Sequence, residues 1–82
     1  MTLREQLILV SDTFGQARGL GRQRVSTIVL NRGSTLDGVA IGEKDVTTGT
    51  FERAMQWFSD NWPEGAEWPT DVGRPQPVME AA

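Results

Sequence analysis

The chain has 82 residues, with 8 Lys+Arg against 11 Asp+Glu, no His, no Cys and a formal net charge of −3. That length allows one small domain, and the missing residue types exclude a disulfide framework, a thiolate nucleophile, a Cys/His zinc site and a near-neutral histidine base. The longest apolar run, Leu7 to Val10, is far short of the roughly 20 residues that a membrane span requires. No signal peptide is expected near Arg4 and Glu5 either. The expectation is a soluble cytoplasmic protein, not an enzyme, with no cofactor, no metal and no membrane contact.

Leu3, Leu7, Val10, Phe14 and Ala17 recur at spacings of four and three, which predicts a helix over residues 2–18 with those side chains inward. Thr2 is placed to cap its start, and Gly19 and Gly21 to end it. Gly15 is expected to mark a break, because glycine in a helix interior costs about 1 kcal/mol relative to alanine. A second helix is expected over residues 21–31, with Leu20, Val25, Ile28 and Val29 on the core side and Leu36 behind them. The β-branched run also suits a strand, but the spacing favours a helix. Arg22, Gln23, Ser26, Thr27 and Asn31 then face outward.

Residues 33–47 carry Gly33, Gly38 and Gly42, and Leu36, Val39 and Ile41 are expected to tuck a loop or short helical turn onto the core. Phe51, Ala54, Met55, Phe58 and Trp62 predict a further helix, capped by Thr47 or Thr48 and ended by Pro63 and Gly65. Beyond it, residues 64–82 read as a Pro-rich acidic extension, anchored by Trp68, Val72 and Val78 and frayed at the end.

The net charge hides an asymmetry. Between Thr13 and Leu36 the charged residues are Arg18, Arg22, Arg24 and Arg32, with no acid among them, whereas acids dominate from Asp37 onward. A local field acts over about a Debye length, roughly 8 Å at physiological salt, so this arrangement outweighs the global sum. Arginine also forks onto phosphate or guanine in a way lysine does not.

Arg22-Gln23-Arg24-Val25-Ser26-Thr27, continuing to Asn31-Arg32, carries the residue types of a DNA-reading helix. Arginine suits guanine, glutamine and asparagine suit adenine, and Ser/Thr bond bases or phosphates. A solvated helix face or a protein contact would have the same pattern. The tryptophans at 57, 62 and 68 sit among Asp60, Glu64 and Glu67, which favours core or partner interface over a stacking platform for single strands. Glu43 and Asp45 lack EF-hand spacing, Gly19-Leu20-Gly21 lacks a dinucleotide fingerprint, and Ser11 with Asp12 lacks a base.

Ala17, Gly21 and Leu30, followed by Asn31-Arg32-Gly33, resemble the helix-turn-helix signature of the phage-repressor (Cro/repressor-like) class. That signature has a small residue in the first helix, a turn glycine four later and an apolar position in the second helix. The apolar position six after the turn glycine falls here on Thr27, a departure from the pattern. Thr48 to Met55 is similar to the helix that follows the recognition helix in such proteins. Ser26-Thr27-Ile28 together with Phe51 to Pro63 also resembles small bacterial and phage-associated proteins.

The fold expected is all-α: three to five short helices around one core in residues 1–63, with a helix-turn-helix-like unit, and the Pro-rich tail 64–82. The function expected is a small DNA-binding transcriptional regulator of phage or mobile-element type. Arg22, Gln23, Ser26 and Thr27 would enter the major groove, with Asn31 beside them, and Arg18, Arg24 and Arg32 would hold phosphates. Its partner is double-stranded DNA, bound as a homodimer in which some of Phe51, Met55, Trp57, Phe58, Trp62 and Trp68 form the contact. The alternative is an acidic protein-interaction module acting on a host protein partner through residues 37–71.

Overall fold

The first helix starts where a threonine and a glutamate three residues apart satisfy each other's backbone. Thr2 Oγ1 accepts from the Glu5 N–H at 3.1 Å, and Glu5 Oε1 accepts from the Thr2 N–H at 3.0 Å. These bonds to Thr2, the backbone one first, hold the Glu5 carboxyl below its ordinary value. The computed structural model describes residues 1–76, and its elements are α1 (Leu3–Arg18), α2 (Arg22–Leu30), α3 (Thr35–Ala40) and α4 (Thr48–Asp60). No strand occurs among the described residues, so the fold is all-α.

α1 runs unbroken through Gly15, against the expectation of an interruption there. The glycine serves a close approach instead. The Leu20 N–H donates to the Gly15 carbonyl at 2.7 Å, and a Cβ on Gly15 would lie 2.7 Å from the Leu20 carbonyl oxygen and 3.3 Å from a Val25 methyl. Gly19 then ends α1 in the left-handed region at φ 70°, and Gly21 stands as the N-cap of α2. Three residues therefore suffice to turn the chain from α1 into α2.

The core takes Leu7, Val10 and Phe14 from α1, Val25 from α2, Leu36 from α3, and Ala54, Met55 and Phe58 from α4. Phe14 is its hub, with ring centroids 5.4 Å from Trp57 and 5.3 Å from Phe58, both edge-on. Leu3 and Ala17, at the two ends of the expected stripe, are exposed. So is Ile41, at 69%, one residue past the end of the short helix α3 that buries Leu36 and Val39.

α4 is capped by Thr47, whose hydroxyl accepts from the Thr50 N–H at 3.1 Å. After Asp60 the chain folds back along α4 rather than departing. Ser59 Oγ donates to the Pro75 carbonyl and accepts from Arg74 Nε, while Arg74 Nη2 bonds the Ser59 carbonyl at 2.9 Å. The Trp62 and Trp68 rings stand 4.7 Å apart, and the Trp68 indole N–H donates to the Val72 carbonyl. Val72 itself joins the core. The acidic extension thus packs onto the helices as far as Gln76, while the expected anchor at Val78 and the frayed end lie outside the described residues.

This packing corrects the proposed dimer contact in part. Met55 and Phe58 are enclosed within a single chain and present no surface to a second one. Trp57, Trp62 and Trp68 are half-buried against the same core, so they form no open stacking platform. Among the described residues no helix is long and apolar enough to cross a membrane.

Candidate nucleic-acid interface

α2 has two faces, and the structure rotates them relative to the sequence pattern. Val25 and Ser26 are buried, Val29 and Leu30 are half-buried, and Gln23, Arg24, Thr27 and Ile28 are exposed. Ile28, expected in the core, is 41% exposed, and Ser26, expected in the groove, is 0% exposed. The Ser26 hydroxyl explains the exchange. It accepts from the Leu36 N–H at 3.1 Å and donates to the Arg32 carbonyl, tying the start of α3 to the exit of α2. An N–H that would otherwise be buried without a partner is satisfied only if Ser26 points inward. Ser26 is therefore removed from the list of DNA-contacting residues.

Arg22 is also withdrawn, though less completely. It is half-buried and grips Asp12 of α1 through Nε at 3.0 Å and Nη2 at 2.7 Å, while Nη1 reaches Asp37 of α3 at 3.4 Å. The hydrogen bond to Asp12, then the charges of Asp12 and Asp37, hold the guanidinium above its ordinary value against the opposing effect of burial. Arg22 thus ties the first three helices together, and its charge is answered within the chain. Reading a base would therefore require Arg22 to give up these carboxylates.

The remaining candidates stay at the surface. Gln23 and Arg24 lie on the first turn of α2, Thr27 and Ile28 on the next, and Asn31 closes the helix in the left-handed region at φ 62°. At 3.6 residues per turn, Arg24, Thr27, Ile28 and Asn31 share one stripe. The Thr27 hydroxyl donates to the Gln23 carbonyl at 3.0 Å, which spends its one hydrogen and leaves it an acceptor only. Arg18 stands at the end of α1 just before the turn, and Arg32 just past α2.

Ion pairing sorts the cations of the molecule. Arg4 pairs with Asp45 at 2.8 Å, Arg22 with Asp12 and Asp37, and Arg74 is spent on Ser59 and the face of Trp68. Arg18, Arg24, Arg32, Lys44 and Arg53 have no ion-pair partner among the described residues. Three of these five flank or sit on α2.

Arg53 of α4 is a residue that sequence reasoning missed. It lines a cleft of about 390 Å³ with Val29, Leu30, Asn31, Thr50 and Trp57, at the C-terminal end of α2. Nothing local announces it, since it lies 22 residues beyond Asn31 and has Glu52 beside it.

The register of the helix-turn-helix resemblance also shifts. The small residue, the left-handed turn glycine four later and the buried apolar residue six after that are Gly15, Gly19 and Val25. Ala17 is exposed and Gly21 has an ordinary extended conformation at φ −76°. Comparison with protein-family models, with curated proteins and with solved structures finds no match to this chain.

Proposed function

We propose that this chain is a small DNA-binding protein of the transcription-regulator kind, which lays the outward face of α2 in the major groove. The observation that carries the reading is the sorting of the arginines. The cations near α2 that lack an acid partner are Arg18, Arg24, Arg32 and Arg53, and they border a stripe bearing Gln23, Thr27, Ile28 and Asn31. Guanidinium groups without an acid partner among the described residues are available to phosphates and guanine edges, and the amides of Gln23 and Asn31 suit adenine. Nine residues of helix span about 13 Å, or about four base pairs at 3.4 Å each. The proposal therefore includes a second copy on an adjoining half-site.

Duplex titration at several salt concentrations tests this. With Arg18, Arg32 and Arg53 on phosphate and Arg24 left for a base edge, log K against log salt should fall with a slope of about −3, at about −0.9 per phosphate. Arg32→Ala should lower that slope by about one and weaken cognate and random duplexes alike. Gln23→Ala should instead narrow the gap between them, by about 1–3 kcal/mol. A flat salt dependence, or no duplex binding at low salt, refutes the reading. The protein-interaction alternative then gains, through the apolar groove that Ile8, Leu9, Val39 and Ile41 line between α1 and α3.

A further inference from the structure

The outward stripe of α2 has a feature that phosphate binding leaves unexplained. Ile28 stands in the open at its centre, one turn after Arg24 and one turn before Asn31 and Arg32. Beside it is Thr27, whose hydroxyl is turned back onto the Gln23 carbonyl. The polar residues thus surround a small apolar spot made by the exposed Ile28 side chain. The stripe as a whole has a guanidinium at one end, methyl groups in the middle, and an amide and a guanidinium at the other.

Only one feature of a base pair in the major groove is apolar. It is the 5-methyl group of thymine, which distinguishes T·A from every other pair without any hydrogen bond. We propose that Ile28 is a specificity-determining contact for a thymine methyl, an inference that rests on the DNA reading above. Its spacing from Arg24 gives the step a length. Four residues of helix rise about 6 Å, which is about two base pairs, so the thymine lies about two pairs from the base that Arg24 contacts. Arg24 suits guanine, and the preferred element is therefore a guanine and a thymine about two pairs apart.

The Ile28 contact supplies discrimination, not affinity for phosphate. Loss of the Ile28 side chain should leave the salt slope unchanged while removing the preference for a methylated pyrimidine at one position. Ile28 lies outside the core, so its truncation leaves the packing of α2 intact.

The test uses the full chain and duplexes recovered from a randomised library at low salt. Each thymine of a recovered duplex is replaced in turn by deoxyuridine, which lacks only the methyl group. One replacement should weaken wild-type binding about three- to fivefold, the effect of one buried methyl group. Ile28→Ala should bind the thymine and uracil forms equally, and Ile28→Val should retain most of the preference. Circular dichroism checks that each variant is folded. If duplexes bind but no deoxyuridine replacement matters, or if one matters equally for wild type and Ile28→Ala, the inference is overturned and the DNA reading stands. If no duplex is recovered or bound, both fall together.

Discussion

Replacing Gly15 by alanine separates two ways of reading α1, because they predict opposite signs. By helix propensity alone, Gly15→Ala in a continuous helix should stabilise the protein by about 1 kcal/mol. The structure places a backbone oxygen, that of Leu20, 2.7 Å from where the new Cβ would sit, and a Val25 methyl at 3.3 Å. A carbonyl inside a three-residue turn cannot rotate aside as the end of a flexible side chain could. Its movement would also stretch the Leu20 N–H bond to the Gly15 carbonyl. Overpacking of this kind costs about 1–3 kcal/mol, and a weakened hydrogen bond adds about 1 kcal/mol. Set against the propensity gain, the net loss is about 1–3 kcal/mol. For a domain of this size that lowers the melting temperature by about 4–24 °C. Urea unfolding followed by circular dichroism measures it, with Gly49→Ala as the control. At Gly49 the nearest atom to a new Cβ is the far end of the Arg53 side chain at 3.6 Å, so alanine there should be neutral or stabilising. A stabilised Gly15→Ala protein would refute the close approach of α1 and α2.

Two further substitutions test the residues withdrawn from the interface. Ser26→Ala strips the Leu36 N–H of its acceptor, whereas the Arg32 carbonyl keeps a second bond from the Thr35 N–H, so urea unfolding should show a loss of about 1–3 kcal/mol. A loss near zero would mean that the hydroxyl is not inside. Arg22→Ala should destabilise by about 1 kcal/mol, a modest figure because solvent reaches all three members of the Asp12–Arg22–Asp37 group. That loss should shrink at high salt, Arg22→Lys should recover only part of it for want of a two-pronged bond, and the salt slope of duplex binding should not change. If instead Arg22→Ala removes base discrimination in a fully folded protein, Arg22 belongs to the reading face after all.

The bounds of α1 and α2 and the start of α4 were legible in the residues, and so was most of the core. The Thr2 cap, the stop at Gly19, the Thr47 cap and the stripe of Ala54, Met55 and Phe58 all depend on neighbours within about one turn. The candidate site was less legible because α2 is an ambiguous helix. Ser26 and Ile28 lie on opposite sides of it, and hydrophobicity alone puts the isoleucine inside. The need of one N–H on Leu36, ten residues away, reverses that choice. The same distance problem governs charge. Arg18, Arg22, Arg24 and Arg32 look alike along the chain, yet only Arg22 has two carboxylates brought to it, from residues 10 before and 15 after.

The sequence by itself determined that this protein is all-helical, and where α1 and α2 start and stop and α4 starts, because caps and the 3.6-residue period act over three or four residues. Only the tertiary structure decided which side of α2 faces water, which arginines remain without acid partners, and that Arg53 stands at the end of α2. Those outcomes are set by pairings between helices, where one buried hydrogen bond or one ion pair outweighs the weak preference of a short, mixed helix.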